Sequence, residues 1–338
     1  MDGHDEHTDR RLGNPAPAEF GEFGTDVLGE PYQAATLRLA PDREGEVVAT
    51  LVRRRCPQPT DRAVLYVHGF VDYFFQTWLA DWYVAQGFHF YALDLRKCGR
   101  SMLEHQTPHH ATDLAEYFPE LDAAVQLVRD RDGVTTLLAN GHSTGGLTLS
   151  LWAHHRRERA LVDGLFLNSP FLDLNASALV RAVAGPLVDV VGARAPLARL
   201  PFGLNELYAR TIHSSQEGAW DYDLALKPLK PWPVRAGWLR AIRRAQRELH
   251  AGLSVACPVL VTASTGSSNP TRWDERMRST DAILDVEQIA RWSTRIGPLV
   301  TTVRIPDGMH DVFLSPEPVQ AVAKQELARW VDCYLGKR

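Results

Sequence analysis

The chain is poor in cysteine and has neither a long apolar run nor a dominant charge. Its four cysteines (Cys56, Cys98, Cys257 and Cys333) are scattered, with no C-x-x-C spacing. That pattern argues against a zinc ribbon and against a disulfide framework, and leads us to expect reduced thiols and a cytoplasmic setting. No stretch approaches the ~18 apolar residues of a membrane span. The first 20 residues include His4, Asp5, Glu6, His7, Asp9, Arg10 and Arg11. They lack the apolar centre of a secretory signal and read as a solvated tail, placed at residues 1–30, rather than a metal site. Lys and Arg number 37 against 41 Asp and Glu, for a formal net charge of −4. No basic run suggests a nucleic-acid partner, and no metal or cofactor motif is present.

What is present is enough apolar sequence for a large core: 45% of 338 residues, with 23% charged. Gly141-His142-Ser143-Thr144-Gly145-Gly146 follows the short apolar run 137–139 and precedes a helical stretch. G-x-S-x-G between strand and helix is the nucleophile-elbow pattern. A serine hydroxyl is a weak nucleophile until a base stands beside it and substrate can reach it. A sharp turn lifts the hydroxyl above the sheet, and its crowding demands small neighbours. The helix that follows aims unpaired N–H groups at the place where an oxyanion forms.

The rest of the chain supplies the context that this motif needs. Alternating segments 33–39 and 46–52 predict a hairpin. The apolar run at 63–67 predicts a strand buried on both faces, 88–93 another buried strand, and 137–139, 164–168, 258–262 and 299–305 further strands. Helical patterns fall between them at 78–86, 113–130, 144–159, 285–295 and 318–335, with Asp285 as a cap. This alternation predicts a mostly parallel α/β sheet flanked by helices. It breaks over 173–253, a segment rich in Trp and Pro. There Ala178, Leu179, Ala182, Val183, Leu187, Val190 and Val191 form a helical stripe. The expected organisation is a core of 31–172 and 254–338 with a helical cap of 173–253.

The base for Ser143 must be a histidine. His154 and His155 lie on the elbow helix, and His213 and His250 fall in the cap. His310 follows the last strand, where sites of α/β sheets gather, and is the preferred base. Its orienting acid comes after the strand at 258–262. Asp285 is better used as a helix cap, and Asp274 sits in a charged run. Asp281, among small and apolar residues, is preferred, with Asp274 the alternative. His68-Gly69-Phe70 ends the strand at 63–67. The Phe70 and Thr144 N–H groups are the expected oxyanion donors, and His68 is read as a buried structural residue.

These residues resemble the α/β-hydrolase family, whose chain order is Ser, acid, His. Within it they resemble the monoacylglycerol lipase, lysophospholipase and serine aminopeptidase-like group. The match rests on His68-Gly69-Phe70, the elbow, Asp281-x-x-x-Asp285, Gly308-Met309-His310 and Asp94-Leu95-Arg96-Lys97-Cys98-Gly99-Arg100-Ser101. The resemblance implies an eight-stranded sheet and a capped serine esterase site acting on small esters with an apolar acyl group. Transient contact with a lipid surface is compatible with it. Lys97 stands where the group has Gly, and Cys98 where His is frequent, which predicts a differently shaped loop beside the pocket. The segment 264–278 is longer than the group's usual link. An amidase or aminopeptidase would need an anchor for an amino group, for which Glu206, or Glu217 with Asp221, are candidates. A non-catalytic binding protein is the remaining alternative.

Overall fold

The computed structural model describes residues 19–175, 178–201, 203–204 and 206–336, without the side chains of 178–184. Its strands are β1 (Gly24–Thr25), β2 (Gln33–Asp42), β3 (Gly45–Arg54), β4 (Arg62–Val67), β5 (His89–Asp94), β6 (Thr136–His142), β7 (Gly164–Asn168), β8 (Val259–Ser264) and β9 (Val300–Ile305). The helices are α1 (Thr77–Ala85), α2 (Phe118–Gln126), α3 (Thr144–His155), α4 (Ala178–Arg194), α5 (Leu207–Ile212), α6 (Ala236–Ala251), α7 (Val286–Ser293) and α8 (Glu317–Leu335).

The strands form one sheet in the order β1-β2-β3-β5-β4-β6-β7-β8-β9. From β5 through β9 neighbouring strands are parallel, while β1, β2 and β3 extend the sheet antiparallel. Strands β4 to β8 are buried on both faces, as their apolar sequences predict, whereas the edge strand β9 is mostly half-exposed. Ala63, Leu65, Val67, Leu137 and Ala139 face one apolar layer. Val64, Tyr66, Phe90, Leu138 and Phe166 face the other.

Three expectations are corrected. The described sheet has nine strands rather than eight, because the two-residue β1 pairs with the edge of β2; so short a strand has no periodicity to read. The polar tail placed at 1–30 ends earlier. Residues 1–18, with His4 and His7, lie outside the described residues. Beyond them Phe20 bridges Leu37, and Asp26 is buried in an ion pair with Arg100 at 2.7 Å. Its partner lies in the loop after β5, so local composition gives no sign of it. The helix expected over 113–130 is broken into a 3₁₀ turn capped by Asp113, then α2, then a π turn at Leu127–Arg131.

Helices α4, α5 and α6 all lie between β7 and β8. Of the stripe expected on α4, Ala178, Leu179, Ala182 and Val183 fall outside the described side chains. Leu187 and Val190 are exposed, and it is Val188 that is buried. Gly192 packs so closely on α6 that a Cβ there would lie 2.5 Å from the Ala236 carbonyl oxygen.

Candidate active site

The site sits at the carboxyl ends of β4, β6, β8 and β9. Ser143 occupies the turn between β6 and α3 with φ 52° and ψ −115°. A non-glycine residue here is strained, and the surrounding turn must hold it in place. Gly145 shows how tight the turn is. A Cβ at that position would lie 2.4 Å from the carbonyl oxygens of both Val67 and His68. These backbone atoms at the end of β4 have nowhere to move.

The structure brings Ser143, His310 and Asp281 together. His310 Nε2 is 3.0 Å from Ser143 Oγ, and His310 Nδ1 is 2.9 Å from Asp281 Oδ2. All three are buried, with 8%, 2% and 0% of their surfaces exposed for Ser143, His310 and Asp281. Asp281 Oδ1 accepts the backbone N–H groups of Ile283 at 2.9 Å and Leu284 at 2.8 Å, which fixes the carboxylate plane. Asp274 instead caps a short 3₁₀ turn and pairs with Arg276 at the surface. Asp285 caps α7 by accepting the Glu287 N–H.

The other histidines have other partners. His154 accepts the Ser254 N–H, and His155 lies 2.8 Å from Glu248. His213 packs edge-on against Tyr222, and His250 stacks on Trp292 at 3.6 Å. His68 is buried, donates from Nδ1 to the Gly69 carbonyl and accepts the Leu95 N–H at Nε2. It holds the loop that follows β4. Gly69 in that loop faces Ser143; a Cβ there would lie 3.1 Å from the serine Cβ. The Phe70 N–H belongs to this loop, and the Thr144 N–H opens α3, where no preceding turn offers an acceptor.

A cavity of about 460 Å³ opens onto Ser143 and His310. Its walls are largely apolar, with Phe171, Val188, Ile212, Trp238, Leu239 and Ile283 among them. Trp238 of α6 stacks on Phe70 with ring centroids 3.9 Å apart. Tyr208 of α5 meets the His310 ring edge-on, and its hydroxyl accepts the Asp311 N–H at 3.1 Å. Neither Lys97 nor Cys98 lines the cavity among the described residues. Lys97 takes the positive φ of 61° that a glycine would adopt freely, and its ammonium pairs with Asp42 and Glu44. No described residue of 264–278 lines the cavity either. The segment is tied to the residues around Asp281, through the Ser268 N–H donating to the Asp281 carbonyl and the Thr280 hydroxyl donating to Ser268.

Sequence reasoning missed two buried features. His142, beside Ser143, has its ring 4.9 Å from that of His310. Burial lowers its tendency to charge; Asp311 opposes that and His310 adds to it, leaving the imidazole below its ordinary value. The second feature is a buried ion pair in the cavity wall, Lys227 Nζ to Asp72 Oδ1 at 2.6 Å. Burial acts to raise the Asp72 carboxyl, but the Lys227 ammonium, with His142 and His68, outweighs it and the group lies below its ordinary value. Asp72 is close enough to the His68-Gly69-Phe70 motif to have drawn notice. Its partner is 155 residues away, so the pairing left no local signal. Replacing Lys227 with Met strands a buried carboxylate and is expected to cost about 3–5 kcal/mol of stability. The double variant Asp72→Asn with Lys227→Met will recover most of it, as chemical denaturation will measure.

Residues 58–267 match the family model described as serine aminopeptidase, S33. The chain belongs to this α/β-hydrolase family. Among solved structures it is similar to a soluble variant of monoglyceride lipase from Saccharomyces cerevisiae in complex with a substrate analog. Identity there is 15% over 93% of this chain and 94% of the other, with a TM-score of 0.62. It is also similar to the monoacylglycerol lipase of Paleococcus ferrophilus, at 19% identity over 84% and 99% of the two chains and a TM-score of 0.57. A thermostable carboxyl esterase from Bacillus coagulans matches at 13% identity over 89% and 98%, with a TM-score of 0.62. At these identities the likeness is one of fold. No curated protein gives a sequence match. None of the described helices is long and apolar enough to cross a membrane.

Proposed function

We propose that this family member is a serine hydrolase of carboxylic esters with an apolar acyl group. The observation that carries the reading is the hydrogen-bonded line Ser143–His310–Asp281 opening onto an apolar cavity. Ser143 Oγ attacks the ester carbonyl while His310 Nε2 takes its proton. Asp281 holds the imidazole with Nε2 free to accept, and stabilises the imidazolium that forms. The Phe70 and Thr144 N–H groups receive the oxyanion. His310 then protonates the leaving alcohol, and a water activated by the same ring releases the acid. The scheme needs no metal or cofactor. The cap is residues 173–253 and the setting cytoplasmic. The exposed Leu187, Val190 and Leu197 favour brief contact with a lipid surface.

The aminopeptidase reading receives no comparable support. Glu217 pairs with Arg210, and the Asp221 side chain is exposed. Neither these residues nor Glu206 are among those lining the cavity. Asp72 does line it, but its charge is matched by Lys227. A free amino terminus therefore lacks an anchor among the described residues.

The test is a series of p-nitrophenyl esters from acetate to palmitate. Each methylene buried in the cavity is worth about 0.8 kcal/mol. kcat/KM is therefore expected to rise by up to about fourfold per added carbon until the cavity is full. A preference for acetate, or no turnover of any ester, overturns the substrate class. If Ser143 also fails to take up a fluorophosphonate, the binding-protein reading takes its place.

A further inference from the structure

Asn168, the last residue of β7, reaches both halves of the site. Its backbone carbonyl accepts the Ser143 N–H at 3.0 Å and the His142 Nδ1–H at 3.2 Å. Its side-chain amide donates to Asp311 Oδ1 at 2.7 Å, and its side-chain oxygen accepts the Val312 N–H at 3.3 Å. One residue thus binds the nucleophile's own peptide and the two residues that follow the base. Asn168 and Asp311 are 1% and 2% exposed.

Asp311 is tied in from other directions. Its Oδ1 also accepts the Phe313 N–H at 2.9 Å, and its Oδ2 faces Gln76 Nε2 at 3.4 Å. Its backbone N–H donates to the Tyr208 hydroxyl of α5. Every side-chain partner is a donor, the pattern of an ionised carboxylate. No cation pairs with it among the described residues. A buried carboxylate held by neutral donors is costly to keep, and here it anchors the loop that carries His310.

We propose that Asn168 and Asp311 are positioning residues for the Ser143–His310 pair. The strained turn at Ser143 sets the hydroxyl, and the loop after β9 sets the imidazole. These two segments are 167 residues apart in the chain, and the Asn168–Asp311 hydrogen bond ties the loop to β7, whose Asn168 carbonyl holds the Ser143 N–H. The inference rests on Ser143 and His310 being nucleophile and base. It adds that their 3.0 Å spacing depends on this bond, and a misplacement of about 1 Å between reacting groups can cost about 100-fold in rate.

The experiment measures the rate of fluorophosphonate labelling at Ser143, together with kcat and KM on the best ester. The variants are Asp311→Asn, Asp311→Ala, Asn168→Ala and the double alanine. In Asp311→Asn the new amide oxygen still accepts from Asn168 and Phe313, so this variant is expected to label within about fivefold of the parent. Each alanine variant is expected to lose about 100-fold in labelling rate and kcat with KM little changed. The double variant will be no slower than the worse single, because one bridge is broken in each case. If Asp311→Ala does not fold, Asn168→Ser makes the same comparison. Alanine variants that label like the parent overturn the bridge, as does a double variant showing the product of the two single losses. A parent that is not labelled at all overturns the nucleophile reading, and this inference with it.

Discussion

Replacing Ser143 with alanine is expected to lower ester turnover by a factor on the order of 10⁶. Replacing His310 with alanine will have an effect of similar size, and the double variant will be little worse than either single one. The reason is mechanical. The hydroxyl has no nucleophilicity at neutral pH without the imidazole 3.0 Å away, and the imidazole has nothing to deprotonate without the hydroxyl. Neighbouring groups offer no substitute. Burial and the nearby His310 hold His142 towards its neutral form, but its Nδ1–H is turned to the Asn168 carbonyl and, among the described residues, the Ser143 hydroxyl bonds to His310 and not to His142. Ser169 follows β7 and is also buried, but no histidine bonds to it among the described residues. The Ser143 side chain bonds to His310, so its loss leaves the turn's backbone contacts to Asn168 and Phe171 intact. Steady-state kinetics of the two singles and the double will check both the size of the loss and its non-additivity. Multiplicative losses would show that the two residues do not act as a unit.

What the sequence made legible follows from which constraints are local. The buried parallel strands announce themselves because both faces are apolar, and their ends fix where a site forms. The elbow is legible because the glycines that its crowding demands, Gly141, Gly145 and Gly146, fall within six residues of one another, even though the backbone that crowds Gly145 comes from the end of β4 and Gly146 is crowded by Pro170. His310 follows from its place after the last strand. Asp281 and Asp274 could be ranked but not separated, since both lie in the approach to α7; only the partners of their side chains tell them apart. The features that escaped are bonds between distant segments. Asp26 with Arg100, Asp72 with Lys227 and Asn168 with Asp311 each join residues 74 to 155 positions apart. Such pairs carry no periodicity and no spacing rule. The face of α4 was misread for a related reason. A stripe of Leu and Val predicts burial against something, but the cavity takes Val188 and leaves Leu187 and Val190 outside.

Asp281→Asn is expected to lower kcat by about 10⁴-fold, while Asp274→Asn stays within about twofold of the parent, as surface changes generally do. The size of the first effect follows from the way the carboxylate is held. Oδ1 accepts two backbone N–H groups, from Ile283 and Leu284. An asparagine amide placed there must turn its oxygen toward those donors, because an NH₂ group in that position would oppose both. The NH₂ then occupies the place of Oδ2 and points at His310 Nδ1, 2.9 Å away. It can only donate, so the imidazole is forced to carry its proton on Nε2. That nitrogen faces Ser143 Oγ and can no longer accept the serine proton. The residue volume and packing are kept while the tautomer is wrong, so the loss will appear in kcat with the fold intact. Asp274 meets none of these conditions. It sits at the surface, its carboxylate pairs with Arg276, and no histidine faces it among the described residues. Kinetics of the two variants on one ester, with circular-dichroism melting to confirm folding, will distinguish them. Equal losses would place the orienting acid elsewhere, and loss only in the Asp274 variant would reassign it to that residue.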